Sequence, residues 1–184
     1  MRAFLAIEIS DDIKKYLNTV IKSMSLHIDG VRWVNEAGQH ITLKFFGEIE
    51  DKKVWHIKES MLFIEEKYGP FTATIRGIDA FPDRRKARVI VITLENGVDN
   101  IKNIYNDIEE SVLTLGIEKE KRPFTPHITL GRRRIPAPLP DKAFKDIEKI
   151  SFTAGSVVLF KSTLRPEGAL YTPVWELKLR GSEG

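Results

Sequence analysis

His40-Ile41-Thr42-Leu43 returns unchanged as His127-Ile128-Thr129-Leu130, 87 residues further on. Two of the chain's four histidines head this string. Each copy alternates polar and apolar residues, the period of a strand with one face on a core and the other outward. Ile41, Leu43 and Phe45 are expected on the inner face, and His40, Thr42, Lys44 and Phe46 on the outer one. In the second copy Ile128 and Leu130 turn inward while His127 and Thr129 share the opposite side. One His-x-Thr on a strand is ordinary surface, because short motifs are weak. Two identical copies among so few histidines are a specific signal. If the two strands lie side by side, two imidazoles and two hydroxyls line one cleft.

Working outward, residues 2–9 read as a buried strand. Ser10 offers an N-cap to an amphipathic helix over 11–26, with Asp11 and Asp12 in its first turn. Residues 31–34 are extended, and a turn through 35–39 delivers the first motif strand. Asp51 opens a second helix whose apolar face is Val54, Ile57, Met61, Leu62 and Ile64, closed by Gly69-Pro70. Residues 71–81 and 87–94 read as strands around the basic turn Pro82-Asp83-Arg84-Arg85-Lys86. A third helix spans 98–115. After the second motif, residues 135–140 carry three prolines and are expected to be irregular. A short helix over 143–150 and an antiparallel hairpin of strands 152–164 and 170–179 complete the chain. The pattern implies an α+β fold: one domain over residues 1–184 made of two similar lobes, each an antiparallel sheet backed by helices, with a central cleft.

Composition narrows the chemistry. The absence of cysteine excludes a disulfide framework, a thiolate nucleophile and a Cys-based zinc site. A net charge of +3 is mildly basic, favourable to a polyanion without requiring one. No stretch approaches the ~18 apolar residues of a membrane span, and the N-terminal apolar run, interrupted by Glu8, is too short for a signal peptide. A monomeric cytoplasmic protein is expected. The abundance of Lys, Glu and Arg would fit a thermophilic source.

Histidine can act as base or acid near neutral pH. Two imidazoles on opposite sides of one phosphorus can divide those roles, each contributing about 10²–10⁴-fold. Thr42 and Thr129 can donate to non-bridging phosphoryl oxygens. Lys44 is a candidate anion contact, and Phe46 a platform for a nucleobase. Of Arg132, Arg133 and Arg134, strict alternation puts Arg133 beside His127, whereas a kink at Gly131 would select Arg132. Arg84, Arg85, Lys86 and Arg88 either contact a nucleic-acid backbone or keep a hairpin tip soluble. Two histidines do not complete a tetrahedral metal site, and no Glu-x-x-His or His-x-His spacing adds a ligand, so neither metal nor cofactor is expected. His27 and His56 lack a repeated context and are read as surface or capping residues.

The strings His40-Ile-Thr-Leu-Lys-Phe-Phe-Gly-Glu48 and Thr125-Pro-His-Ile-Thr-Leu-Gly-Arg132 resemble the two-histidine (2H) phosphoesterase superfamily, in particular its LigT-like RNA 2′,3′-cyclic phosphodiesterase branch, historically called 2′-5′ RNA ligase. Phe81-Pro82 through Arg88-Val89 and Ser162-x-Leu164-x-Pro166-x-Gly168-x-x-Tyr171 fit the same branch. The resemblance implies a bilobal fold with a pseudo-two-fold axis, His40 and His127 as the acid–base pair, Thr42 and Thr129 on the phosphate, and Arg132 as a substrate contact. It implies hydrolysis of an RNA-terminal 2′,3′-cyclic phosphate to a 2′-phosphomonoester without ATP or metal. Two alternatives stand beside it: 2′-5′ ligation of RNA ends such as tRNA halves, and a non-catalytic RNA-binding module.

Overall fold

A computed structural model describes residues 1–144 and 146–182. Among the described residues nine strands form two antiparallel sheets. The first has the order β3-β1-β8-β9 and the second β2-β6-β5-β4-β7. β1 (Arg2–Glu8) lies inside the first sheet between β3 (His40–Glu48) and β8 (Ser156–Arg165), which explains its unbroken apolar run Ala3–Ile7. β9 (Gly168–Lys178) closes a hairpin with β8. In the second sheet, β4 (Phe71–Phe81) and β5 (Ala87–Asn96) pair around the basic turn, β6 (His127–Ala137) carries the second motif, and β2 (Val31–Trp33) and β7 (Ser151–Ala154) form the edges.

Helix α1 (Asp11–Ser25) buries Ile13, Leu17, Ile21 and Met24, and α4 (Val98–Leu113) buries Ile101, Ile104, Ile108 and Val112. Each such side chain is worth about 1.5–3 kcal/mol over leaving it exposed. These stripes and the inner faces of both sheets form one continuous core. A smaller cluster, Phe4, Ala6, Val158 and Phe160 with Tyr171 against it, occupies the opposite face of the first sheet.

The chain does not fold lobe by lobe. It lays β1 in the first sheet, β2 in the second, β3 in the first, β4 to β7 in the second, and β8 and β9 back in the first. Gly155 marks the last crossing, so the single strand expected over 152–164 is two strands in different sheets.

Three other expectations are corrected. The second helix ends at Ser60, as α2 (Asp51–Ser60), and a separate turn α3 (Ile64–Lys67) follows, leaving Leu62 exposed. β6 runs on through Pro136 to Ala137, within the stretch expected to be irregular; β2 pairs only as far as Arg133, so the proline removes no bond to that neighbour. The described residues of 143–150 form no helix beyond a 3₁₀ turn, Asp141–Ala143. Beyond it the backbone bonds its neighbours: Glu148 N donates to the Tyr16 hydroxyl and Ile150 O accepts from Ile75 N. Phe144 lies under the Arg84 guanidinium, 4.0 Å from ring centre to carbon. Lys145 lies outside the described residues. Among the described residues no helix is long and apolar enough to cross a membrane.

Candidate active site

The motif strands β3 and β6 pack against each other where the sheets meet. Which side chains each presents is best read from its neighbour, because both are bulged. Along β1, Glu8, Ala6 and Phe4 alternate on one face, opposite His40, Thr42 and Phe45 of β3. A bulge at Leu43 inserts one residue and reverses the alternation for Lys44 and Phe45, and a second register shift follows at Phe46. Along β5, Thr93, Val91 and Val89 alternate on one face, opposite His127, Thr129 and Arg132, with the bulge at Leu130. The two half-sites are therefore built alike: His, Thr, then the residue three beyond Thr, on one face of a bulged strand.

The bulges overturn two sequence expectations. Lys44 is not on the cleft face. It turns inward, where Nζ donates to Glu109 Oε1 of α4 at 2.7 Å and to the Glu118 carbonyl at 3.1 Å, with both charged side chains 6% exposed. Phe46 packs against the core, and Phe45, 61% exposed, takes its place on the cleft face. On β6 the same reversal selects Arg132, which is exposed beside His127. Arg133 turns away and donates to the carbonyls of Ala137, Pro138 and Asp29. Gly131 stands where the other half-site has Lys44. A Cβ there would come within 2.5 Å of Val31 Cγ1 and 2.9 Å of Trp33 Cε3, so only glycine lets β2 lie alongside the bulge. β3 is an edge strand and carries no such neighbour on that side.

His40 lies in an aromatic setting. Phe4 stacks on it at 4.9 Å, Phe160 lies parallel at 6.2 Å, and Tyr171 presents an edge at 5.7 Å. The Ala37 backbone acts on the ring from the 3₁₀ turn Glu36–Gly38, which Asn35 caps by accepting from Gly38 N at 3.2 Å. Burial lowers the His40 pKa to about 4, with the Ala37 backbone opposing and the Lys14 charge acting in the same direction as burial. Among the described residues the one aromatic ring against His127 is Phe81, edge-on at 5.0 Å. Its Nδ1 lies 2.7 Å from the Thr125 carbonyl, which can only accept, so the proton is on Nδ1 and Nε2 is free for chemistry. Burial, then the Arg132 charge, lowers its pKa, against the Thr125 bond.

Thr42 and Thr129 are half-buried, and no other protein group among the described residues engages either hydroxyl. The basic turn is partly self-satisfied: Arg84 pairs with Asp79, and Asp83 accepts from the backbone of Arg85 and Lys86. Among the described residues no three His, Asp or Glu side chains are grouped to hold a metal ion. Sequence reasoning missed Phe45 and the rings around His40. Gly131 was a visible sign of a kink, but nothing in the first string announced one.

Comparison with known proteins agrees with this architecture. The model of the family described as LigT like Phosphoesterase matches residues 7–91 and again 92–171. An RNA 2′,3′-cyclic phosphodiesterase of Thermotoga maritima is 31% identical over 98% of this chain and 97% of its own length, and one of Methanocaldococcus jannaschii is 33% identical over 96% and 99%. The crystal structure of TT0787 of Thermus thermophilus superposes with a TM-score of 0.86 at 25% identity, covering all of both chains. Escherichia coli LigT complexed with 3′-AMP shares the fold, with a TM-score of 0.77 at 23% identity over 97% of each chain. With two repeats matched across almost its full length, the chain belongs to the LigT-like phosphoesterase family.

Proposed function

We propose that this protein is an RNA 2′,3′-cyclic phosphodiesterase, opening a terminal cyclic phosphate to a 2′-phosphomonoester. The observation that carries the reading is the like construction of two His-Thr pairs on bulged strands that meet at one seam. One imidazole takes a proton from water as its oxygen bonds phosphorus. The P–O3′ bond breaks, and the other imidazole gives its proton to O3′. Thr42 and Thr129 donate to the two non-bridging oxygens, whose negative charge makes each bond worth about 1.5–3 kcal/mol. Arg132 supplies positive charge beside His127, and Phe45 an exposed face on which the terminal base stacks. The curated relatives that match over the same length carry the activity in their names.

The test offers an oligoribonucleotide ending in a 2′,3′-cyclic phosphate, with chelator present, and identifies the product isomer. A 2′-phosphate product, lost in His40→Ala and His127→Ala, is expected. A 3′-phosphate product or strict dependence on added divalent metal would overturn the scheme. A 5′-hydroxyl RNA added to the same reaction measures 2′-5′ joining, which uses the same site with that hydroxyl in place of water.

A further inference from the structure

Residues 117–126, which carry the chain from α4 to His127, have neither helix nor strand. No backbone–backbone hydrogen bond of the described residues falls on 118–126, so side chains are what place this loop. α4 supplies them at two successive turns. Buried Glu109 accepts from Glu120 N at 2.8 Å through Oε2, while its Oε1 accepts from Lys44 Nζ at 2.7 Å. Four residues earlier on the same helix face, Tyr105 stacks on Phe124, with 4.0 Å between ring centres. Lys119 adds a surface bond to Glu110. From the other motif strand, Lys44 donates to the Glu118 carbonyl at 3.1 Å. Phe124 is followed directly by Thr125, whose carbonyl lies 2.7 Å from His127 Nδ1. A buried cation two residues past Thr42 is thus linked, through one carboxylate and one loop, to the group that fixes the His127 ring.

We infer that Lys44 and Glu109 are positioning residues for His127. By anchoring residues 118–120 they keep the Thr125 carbonyl where it accepts from Nδ1, which leaves Nε2 free for proton transfer. The inference rests on the phosphodiesterase reading and assigns to that site two residues that touch no substrate. Stability alone does not account for a charged pair at this place. Both groups are desolvated, and a buried ion pair replaced by apolar residues of similar volume is often neutral or more stable. What apolar side chains cannot do is bond Glu118 O and Glu120 N, the loop groups that Lys44 and Glu109 hold. His40 stands apart from this anchor, packed by Phe4, Phe160 and Tyr171 and preceded by the turn Glu36–Gly38. Breaking the anchor should therefore disturb one histidine of the two.

The test combines melting temperatures, nitrogen NMR signals of the two imidazoles, and kinetics on a nucleoside 2′,3′-cyclic phosphate. Glu109→Gln keeps the size of the side chain but leaves one acceptor oxygen for two donors. It is expected to lower kcat by about 10-fold or more with KM little changed, and to give His127 a mixed tautomer while His40 keeps its own. Lys44→Met combined with Glu109→Leu removes both charges together. That double variant is expected to melt near the wild type, with the same loss of kcat and the same change at His127. Wild-type kcat with an unmixed His127 tautomer, in either variant, would overturn the inference. Equal disturbance of both imidazoles would also overturn it, as a general loosening of the fold. A wild type that leaves the cyclic phosphate intact would instead overturn the phosphodiesterase reading, and the imidazole signals would still decide the anchor.

Discussion

The two halves of the cleft share a tetrapeptide, a bulge and a register, yet they surround their histidines differently. His40 is packed among Phe4, Phe160 and Tyr171, with Phe45 beyond. His127 has one aromatic neighbour and a cationic one, Arg132. The shared parts are those that a symmetric phosphoryl group would need twice. The unshared parts fall where the rest of a nucleotide would lie: apolar and flat on one side, charged on the other. A repeated strand can thus supply matched chemistry while its neighbours break the symmetry.

The largest effect should come from what the halves share. His40→Ala and His127→Ala should each lower turnover by about 10²–10⁴-fold, with the double variant falling far short of the product because the pair acts as one unit. A single variant with near-wild-type turnover would end the equivalence. Lys44→Ala should reduce stability by about 3–5 kcal/mol, since it leaves the Glu109 carboxylate buried without its counter-ion; denaturant melts would measure this. The matching position on β6 is Gly131, where Gly131→Ala should also destabilise by pressing on Val31 and Trp33. Thr42→Ala and Thr129→Ala should cost turnover alike, about 1.5–3 kcal/mol each at the transition state. Unequal losses would show that one half holds the phosphate alone. Phe45→Ala should weaken binding of the terminal base by about 1–3 kcal/mol, the worth of a stacked base, read as a rise in KM for an oligonucleotide.

The smallest and most graded contrast is with pH. Burial keeps both imidazoles neutral in the free protein, His40 down to about 4 and His127 below its usual value. Cleavage needs one of them protonated, so kcat/KM should peak on the acid side of about 6.5, the ordinary histidine pKa, with an acid limb near 4. Lys14→Gln removes a repelling charge and should move that limb to higher pH. The unfolded chain protonates its histidines more readily than the folded one. The stability His40 confers is therefore complete above the ordinary histidine value and is lost as pH falls through about 4. Melting temperatures across that window and an NMR titration of the ring would check both statements.

Much of this was legible in the sequence. Ile13, Leu17, Ile21 and Met24 at helical spacing announce α1, and the doubled His-Ile-Thr-Leu announces two like strands. What was not legible depends on neighbours. The bulge at Leu43 moves Lys44 inward and Phe45 outward, and period-2 reading cannot see an inserted residue. Ala143, Ile147 and Ile150 have helical spacing, yet the described residues past Ala143 form no helix, and Glu148 N and Ile150 O bond Tyr16 of α1 and Ile75 of β4 instead. Gly155 gives no sign by itself that the strand on either side belongs to a different sheet.

That the chain weaves between its sheets has a mechanical consequence. A hinge needs a place where few strands pass, and here the backbone passes from sheet to sheet four times, through one shared core. A fragment ending between the two motif strings would lack β8 against β1 and would leave β2 without β6. Neither string could hold its histidine alone, so the protein gains a catalytic gap of fixed width at the cost of any ability to come apart into its repeats.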